Sequence, residues 1–180
     1  MHYTHLLLLL FFTALFASCL DHNPNLDKSG KDELKSLELD YDLKSDSMTL
    51  RQVIYVPIYS DIYLDEQTQK SLLAATLSIR NTSFTDSLFI SKIDYFNTEG
   101  DLVRSYIDGP ISLTPMASVN YVIEKKDDTG GAGANFIVEL SARNKSVKPL
   151  IQAVMIGESG NKGFSFSTDG YVIEEENFRK

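Results

Sequence analysis

The chain has no tryptophan and a single cysteine, Cys19, and its three histidines, His2, His5 and His22, all fall near the N-terminus. Beyond His22 there is neither imidazole nor thiol. That removes the Ser-His-Asp and Cys-His nucleophile systems, and the common zinc ligand sets, from the bulk of the chain. A lone cysteine cannot close an internal disulfide, so the fold has to rest on its core. Tryptophan, a frequent sugar-stacking residue, is not available. No amphipathic helical stretch appears, and nothing recurs at a solenoid period. Basic charge is the minority: 17 Lys and Arg against 25 Asp and Glu, a net charge of -8. An acidic chain is repelled by phosphate backbones and anionic headgroups, which argues against nucleic acid as a partner and against a polybasic membrane patch.

What is present begins with an address. Leu6 to Leu20 are almost wholly apolar and contain Phe16-Ala17-Ser18-Cys19. The run is short for a span of ~20 residues, and the small residues before Cys19 resemble a lipobox. Residues 1–18 are therefore expected to be a lipoprotein signal peptide, with Cys19 as the lipidation site. An ordinary signal peptide cut near Ser18 is the plainer alternative and leaves Cys19 a spare thiol. Several acyl chains on Cys19 would hold the chain to a membrane stably. Leu20, directly after it, resembles outer-membrane rather than inner-membrane sorting. The expected location is the cell envelope, on either side of that membrane. Residues 19–49 are rich in Asp, Lys, Ser and Asn and read as a flexible tether, whose reach at ~30 residues is about 30 Å. Leu34, Leu37, Leu39, Tyr41 and Leu43 are the residues by which it would dock on the domain.

Residues 50–180 suffice for one domain with a real core. Leu73, Ala75, Leu77 and Ile79 alternate with Ala74, Thr76, Ser78 and Arg80, the period of a half-buried strand. A turn cluster at Asn81–Asp86 precedes a second strand, Leu88–Phe96, whose apolar phase flips between Ile90 and Ile93. One extra residue near Ser91 and Lys92, a β-bulge, reconciles the two halves. Gly100 supplies a positive φ for the next turn, and the stretch from Leu72 to Tyr106 reads as a three-stranded meander. Val119, Tyr121 and Ile123 share one face of a further strand, and Phe136, Val138 and Leu140 of another. Leu150–Ile156 is apolar at nearly every position and is expected to be covered on both faces. Phe164–Ser167 is a strand, Asp169-Gly170 a tight turn, Tyr171–Ile173 a closing strand and Glu174–Lys180 a charged tail. Short strands at such spacing indicate an all-β, antiparallel immunoglobulin-like β-sandwich of about seven to nine strands.

Two surfaces are candidates for recognition. Between Ile54 and Leu64 one parity is aliphatic and the other carries Tyr55, Pro57, Tyr59, Asp61 and Tyr63. Pro57 confines this segment to an edge or a non-bonded position, so Tyr55, Tyr59, Asp61 and Tyr63 would form an aromatic edge surface. The plainer account has these tyrosines covering the rim. The second candidate is the loop holding Asp127, Asp128, Gly130, Gly131, Gly133 and Asn135. It lacks the spacing of a dinucleotide or P-loop fingerprint and of a calcium loop, so no cofactor and no metal is expected there. Its glycines suit a hairpin or crossover loop. Asp94, Asp108, Glu124, Asp127, Asp128 and Glu139 are the carboxylates from which a glycosidase-type pair would have to come.

Val56-Pro57-Ile58-Tyr59-Ser60, Leu77-Ser78-Ile79-Arg80-Asn81-Thr82, Gly130-Gly131-Ala132-Gly133-Ala134-Asn135-Phe136 and Ala153-Val154-Met155-Ile156-Gly157 together resemble the bacterial family known as domain of unknown function 3124, here in a lipoprotein form. The resemblance spans roughly Gln52 to Ser167. It implies a domain and no mechanism, because that family has no established activity. The expected function is a lipid-anchored envelope lipoprotein working as a non-catalytic binding or assembly module, its partner an envelope protein or a small ligand. The alternative is a small-ligand carrier or carboxylate-based hydrolase with its site near residues 127–135.

Overall fold

Apolar residues at every second position make strands, and among the described residues strands are the only regular structure. The computed structural model describes residues 37–39, 48–66 and 70–178. The expected signal peptide, the lipidation candidate Cys19 and most of the expected tether lie outside the described residues. Eleven strands follow in chain order: β1 (Leu50–Pro57), β2 (Asp61–Tyr63), β3 (Lys70–Arg80), β4 (Leu88–Phe96), β5 (Leu102–Ser105), β6 (Ile111–Leu113), β7 (Ser118–Ile123), β8 (Asn135–Ala142), β9 (Leu150–Ser159), β10 (Lys162–Asp169) and β11 (Tyr171–Asn177). The first sheet runs β11-β1-β8-β4-β5, with β6 also on β4; the second runs β10-β9-β3-β2, with β7 also on β3. Every pairing is antiparallel.

The two inner faces meet as a β-sandwich. Ile54 and Val56 of β1, Ile93 and Tyr95 of β4, and Phe136, Val138 and Leu140 of β8 oppose Leu73, Ala75, Leu77 and Ile79 of β3 and Ala153 and Met155 of β9. Each large aliphatic or aromatic side chain fully buried here contributes about 1.5–3 kcal/mol of transfer free energy. The strand count exceeds seven to nine because β2, β5 and β6 are only three or four residues long and β11 reaches into the supposed tail. The bulge stands where the phase flip requires it: Ile90 faces Leu140 and Lys92 faces Glu139, leaving Ser91 over. Gly100 has φ 87.

Other expectations are corrected. The meander fails at its first turn, because β3 belongs to the second sheet and β4 to the first. The 81–87 link is an arch between sheets, held by Asn81, whose Nδ2 donates to the carbonyls of Asp86, Leu113 and Thr114 at 2.8, 3.1 and 3.0 Å while its Oδ1 accepts from Ser83 N at 3.0 Å. β1 is central, paired with both β8 and β11. Pro57 is tolerated because it is the last residue of β1, opposite Asn135 of β8 and past the end of the β11 pairing at Tyr55. Among the described residues β9 is covered on one face only. Asp169-Gly170 is a crossing between sheets and makes no hairpin, since β10 pairs with β9 and β11 with β1. Glycine is needed there for close approach: a Cβ would come within 2.8 Å of Ile54 Cγ2. Glu174 to Asn177 are strand because backbone pairing with β1 supplies what their side chains do not; Arg51 and Gln52 partner Glu176 and Glu175.

Part of the tether segment does dock. Glu38 bridges Ile111, Leu39 N donates to Pro110 O at 2.9 Å, Ser112 N donates to Leu37 O at 3.1 Å, and Leu37 packs on the core.

Candidate functional site

Each end of the sandwich is closed by loops, and the glycine-rich loop closes the end where β1 finishes. It carries the chain from β7 in one sheet to β8 in the other. Several of its backbone groups are taken up by Ser60 and Thr98: Gly131 N donates to Ser60 Oγ at 2.6 Å, Ser60 N donates to Gly131 O at 3.1 Å, Thr98 N and Oγ1 both donate to Gly130 O at 2.9 Å, and Gly133 N donates to Thr98 Oγ1 at 3.0 Å. Amides spent in this way cannot cradle a phosphate. Gly130 is there for space, because a Cβ would stand 1.8 Å from the Tyr95 hydroxyl, and Gly131 has φ 76.

The acidic members of the loop do not converge. Asp127 accepts from Thr129 and faces Arg104 at 3.5 Å, Asp128 is exposed, and Asn135 opens β8. Among the described residues no group of three or more His, Cys, Asp or Glu is placed to hold a metal ion. Glu139 is engaged elsewhere, on the first sheet's outer face, by Lys92 at 2.8 Å and Arg51 at 3.2 Å. Desolvation pushes its carboxyl up, but these two cations outweigh that and hold it below its ordinary value.

Beneath the loop lies an aromatic cluster. Tyr95 and Tyr106 pack on Phe136 with ring centroids 5.4 and 5.7 Å away, and Tyr106 meets Tyr121 edge-on at 5.2 Å. The three hydroxyls are buried without a hydrogen-bond partner among the described residues. Burial pushes Tyr95 up to about 12 and raises Tyr106 and Tyr121 as well.

The four residues of the aromatic edge do not share one strand. Tyr55 lies on β1 in the first sheet, opposite Tyr171. Tyr59 follows β1 and packs edge-on to Phe166 at 5.7 Å. Asp61 and Tyr63 belong to β2 in the second sheet, facing Leu72 and Lys70. Asp61 is 3% exposed and its Oδ2 accepts from Lys70 at 3.1 Å, while Lys70 also lies 4.9 Å over the Tyr63 ring.

Tyr63 nevertheless borders a larger apolar surface, the outer face of the second sheet. There Val122 and Val154 flank Thr76, and Ile156 lies beside Ala74. Val122, Val154 and Ile156 are 54%, 40% and 55% exposed, with Leu72 next in line at 38%. The salt bridges Lys125–Glu158 and Lys70–Asp61, at 3.2 and 3.1 Å, stand near its margin. The sequence reading took this face as interior: β9 is apolar at both parities, and the described residues cover only one of its faces.

Two packed antiparallel sheets with one apolar outer face define a protein of the β-sandwich class. The chain belongs to the family described as protein of unknown function (DUF3124), whose model matches residues 51–173. That range contains the four segments that carry the resemblance. No curated protein matches. Among solved structures, the chain is similar to one titled crystal structure of Thermotoga maritima 1070, at 15% identity and TM-score 0.38, covering 67% of this chain and 92% of that one.

Proposed function

We propose that the protein is a lipid-anchored lipoprotein of the cell envelope, held through Cys19, more readily at the outer than the inner membrane, and that its sandwich is a non-catalytic binding or assembly module. The observation that carries the binding role is the outer face of the second sheet. One face of a two-sheet sandwich is ordinarily polar, and contiguous exposed aliphatic side chains mark a contact surface. Val122, Val154, Ile156 and Leu72 form such a surface, and Tyr63 extends it. Its partner is an envelope protein that covers an apolar sheet face.

A photo-crosslinking residue at Val122 in intact cells of the source organism, with a control at Glu175, tests the face. A discrete protein adduct at Val122 alone is expected. Adducts at neither position would defeat this reading and favour a small-ligand carrier or carboxylate-based hydrolase near residues 127–135. The anchor is tested separately: palmitate labelling should vanish in Cys19→Ala, and labelling that persists refutes it.

A further inference from the structure

The most exposed large apolar side chain among the described residues is Phe84, at 84%, and it lies on neither candidate surface. It sits in the arch between β3 and β4. Beside it, in the β6–β7 connection, is Met116, 60% exposed and the one non-glycine residue at positive φ among the described residues, 62°. The two loops touch through Met116 N, which donates to Ser83 O at 3.1 Å. A third loop, between β8 and β9, joins them: Asn144 Nδ2 donates to Asp86 Oδ2 at 3.2 Å, and Thr82 Oγ1 donates to Lys148 O. It brings Arg143, Lys145 and Lys148, all exposed. Asp86 is spent on Ser83, Thr85 and Asn144; nearby on β1 and β11, Glu176 is paired with Arg51, and Glu175 accepts from Gln52 and Asn177. Exposed lysines and two bare apolar side chains therefore stand together at this end, beside the carboxylates of Asp86, Glu175 and Glu176.

This is also the end at which the chain enters the domain. Leu50 and Leu88 both face Ala142, and Thr49 N donates to Ala142 O at 2.9 Å. Leu37, docked on β6, lies 18 residues after Cys19. We propose that this end rests on an anionic lipid surface, with Phe84 and Met116 entering the interfacial zone and Lys145, Lys148 and Arg143 facing the headgroups. Aromatic and thioether side chains suit that zone, and juxtamembrane lysines are drawn to anionic headgroups. The proposal rests on the anchored reading above, because an anchor at Cys19 is what would bring this end to a membrane.

The absence of tryptophan makes the test clean. The full chain carrying Phe84→Trp, isolated in its acylated state, is reconstituted into vesicles containing phosphatidylglycerol; Glu99→Trp, in the turn at the opposite end, is the control. The chain is expected to float with the vesicles, and the Phe84→Trp emission is expected to shift to the blue and be quenched by lipids brominated high on the acyl chain, with Glu99→Trp unaffected. Lys145→Gln and Lys148→Gln should each lower the surface affinity read by the quenching about five-fold, without changing flotation. A floating chain whose Phe84→Trp emission stays that of a water-exposed indole overturns the lipid contact and leaves the anchor standing. Quenching that is equal on phosphatidylcholine vesicles overturns the headgroup contact. A chain that does not float overturns both readings.

Discussion

Asn81 gives the most exacting test of how this sandwich is joined. The side chain is 2% exposed and makes four hydrogen bonds that tie the arch after β3 to the β6–β7 connection. Asn81→Ala leaves three carbonyls and the Ser83 N–H without that partner. The two amide hydrogens are shared among three carbonyls, so at roughly 1 kcal/mol per lost bond the cost is about 3 kcal/mol, or a fall in Tm of roughly 10 °C for a domain of this size. Asn81→Asp separates hydrogen bonding from space-filling. It retains the acceptor for Ser83 N but sets a carboxylate against three carbonyl oxygens, so its folded-state pKa rises above the unfolded value of about 3.9. Stability is then fully present below the unfolded pKa and is lost as pH rises through the folded one. At pH 7 Asn81→Asp should be less stable than Asn81→Ala, and near pH 4 the gap should close. Urea unfolding followed by circular dichroism at both pH values reads this directly. A loss below 1 kcal/mol in Asn81→Ala, or no pH dependence in Asn81→Asp, would refute the claim that this one amide holds the arch.

Gly130→Ala should destabilise by about 1–3 kcal/mol, because its Cβ would collide with the Tyr95 hydroxyl, and Tyr95→Phe in that background should recover part of the loss in the same assay. Absorbance titration at 295 nm should show Tyr95 ionising near pH 12, above the ordinary tyrosine value. Its folded pKa lies above the unfolded value of ~10, so its contribution to stability fades as pH climbs from that value through the folded one. Glu139→Gln should cost about 1 kcal/mol at pH 7 by removing the carboxylate that pairs Lys92 and Arg51. The Glu139 pKa is depressed, so the difference from wild type in chemical denaturation should shrink as pH falls through and below the ordinary carboxylate range.

The strands were legible where side chains alternate in and out, and their partners were not. Val119, Tyr121 and Ile123, or Phe136, Val138 and Leu140, announce an inner face because burial writes itself into every second residue. Ser91 could be placed because a bulge inverts that phase. The Asn81 turn looks the same whether the chain folds back in one sheet or arches to the other, since Asn and Ser serve both geometries and the distinguishing acceptors, Leu113 and Thr114, are over thirty residues away. Glu174 to Glu176 carry no strand signature because their pairing is backbone work. The glycine-rich loop was recognised as a connection, but the reason for Gly130, the Tyr95 hydroxyl beneath it, lies thirty-five residues upstream. The apolar outer face was misassigned as interior because hydrophobicity reports a demand for cover without saying which chain meets it.

The central position of β1 has a mechanical consequence. Among the described residues, tension arriving from the N-terminal side meets the 37–39 segment first, held to Pro110 and β6 by two backbone hydrogen bonds that can open one after the other. Once those yield, the load passes to β1, which is flanked along its length by β8 and over six positions by β11. Antiparallel ladder bonds lie across the strand, so a pull along its axis shears many of them together. The molecule therefore has a weak link in series with a strong one: a clip that releases slack early, and a strand that resists until much of the first sheet gives way.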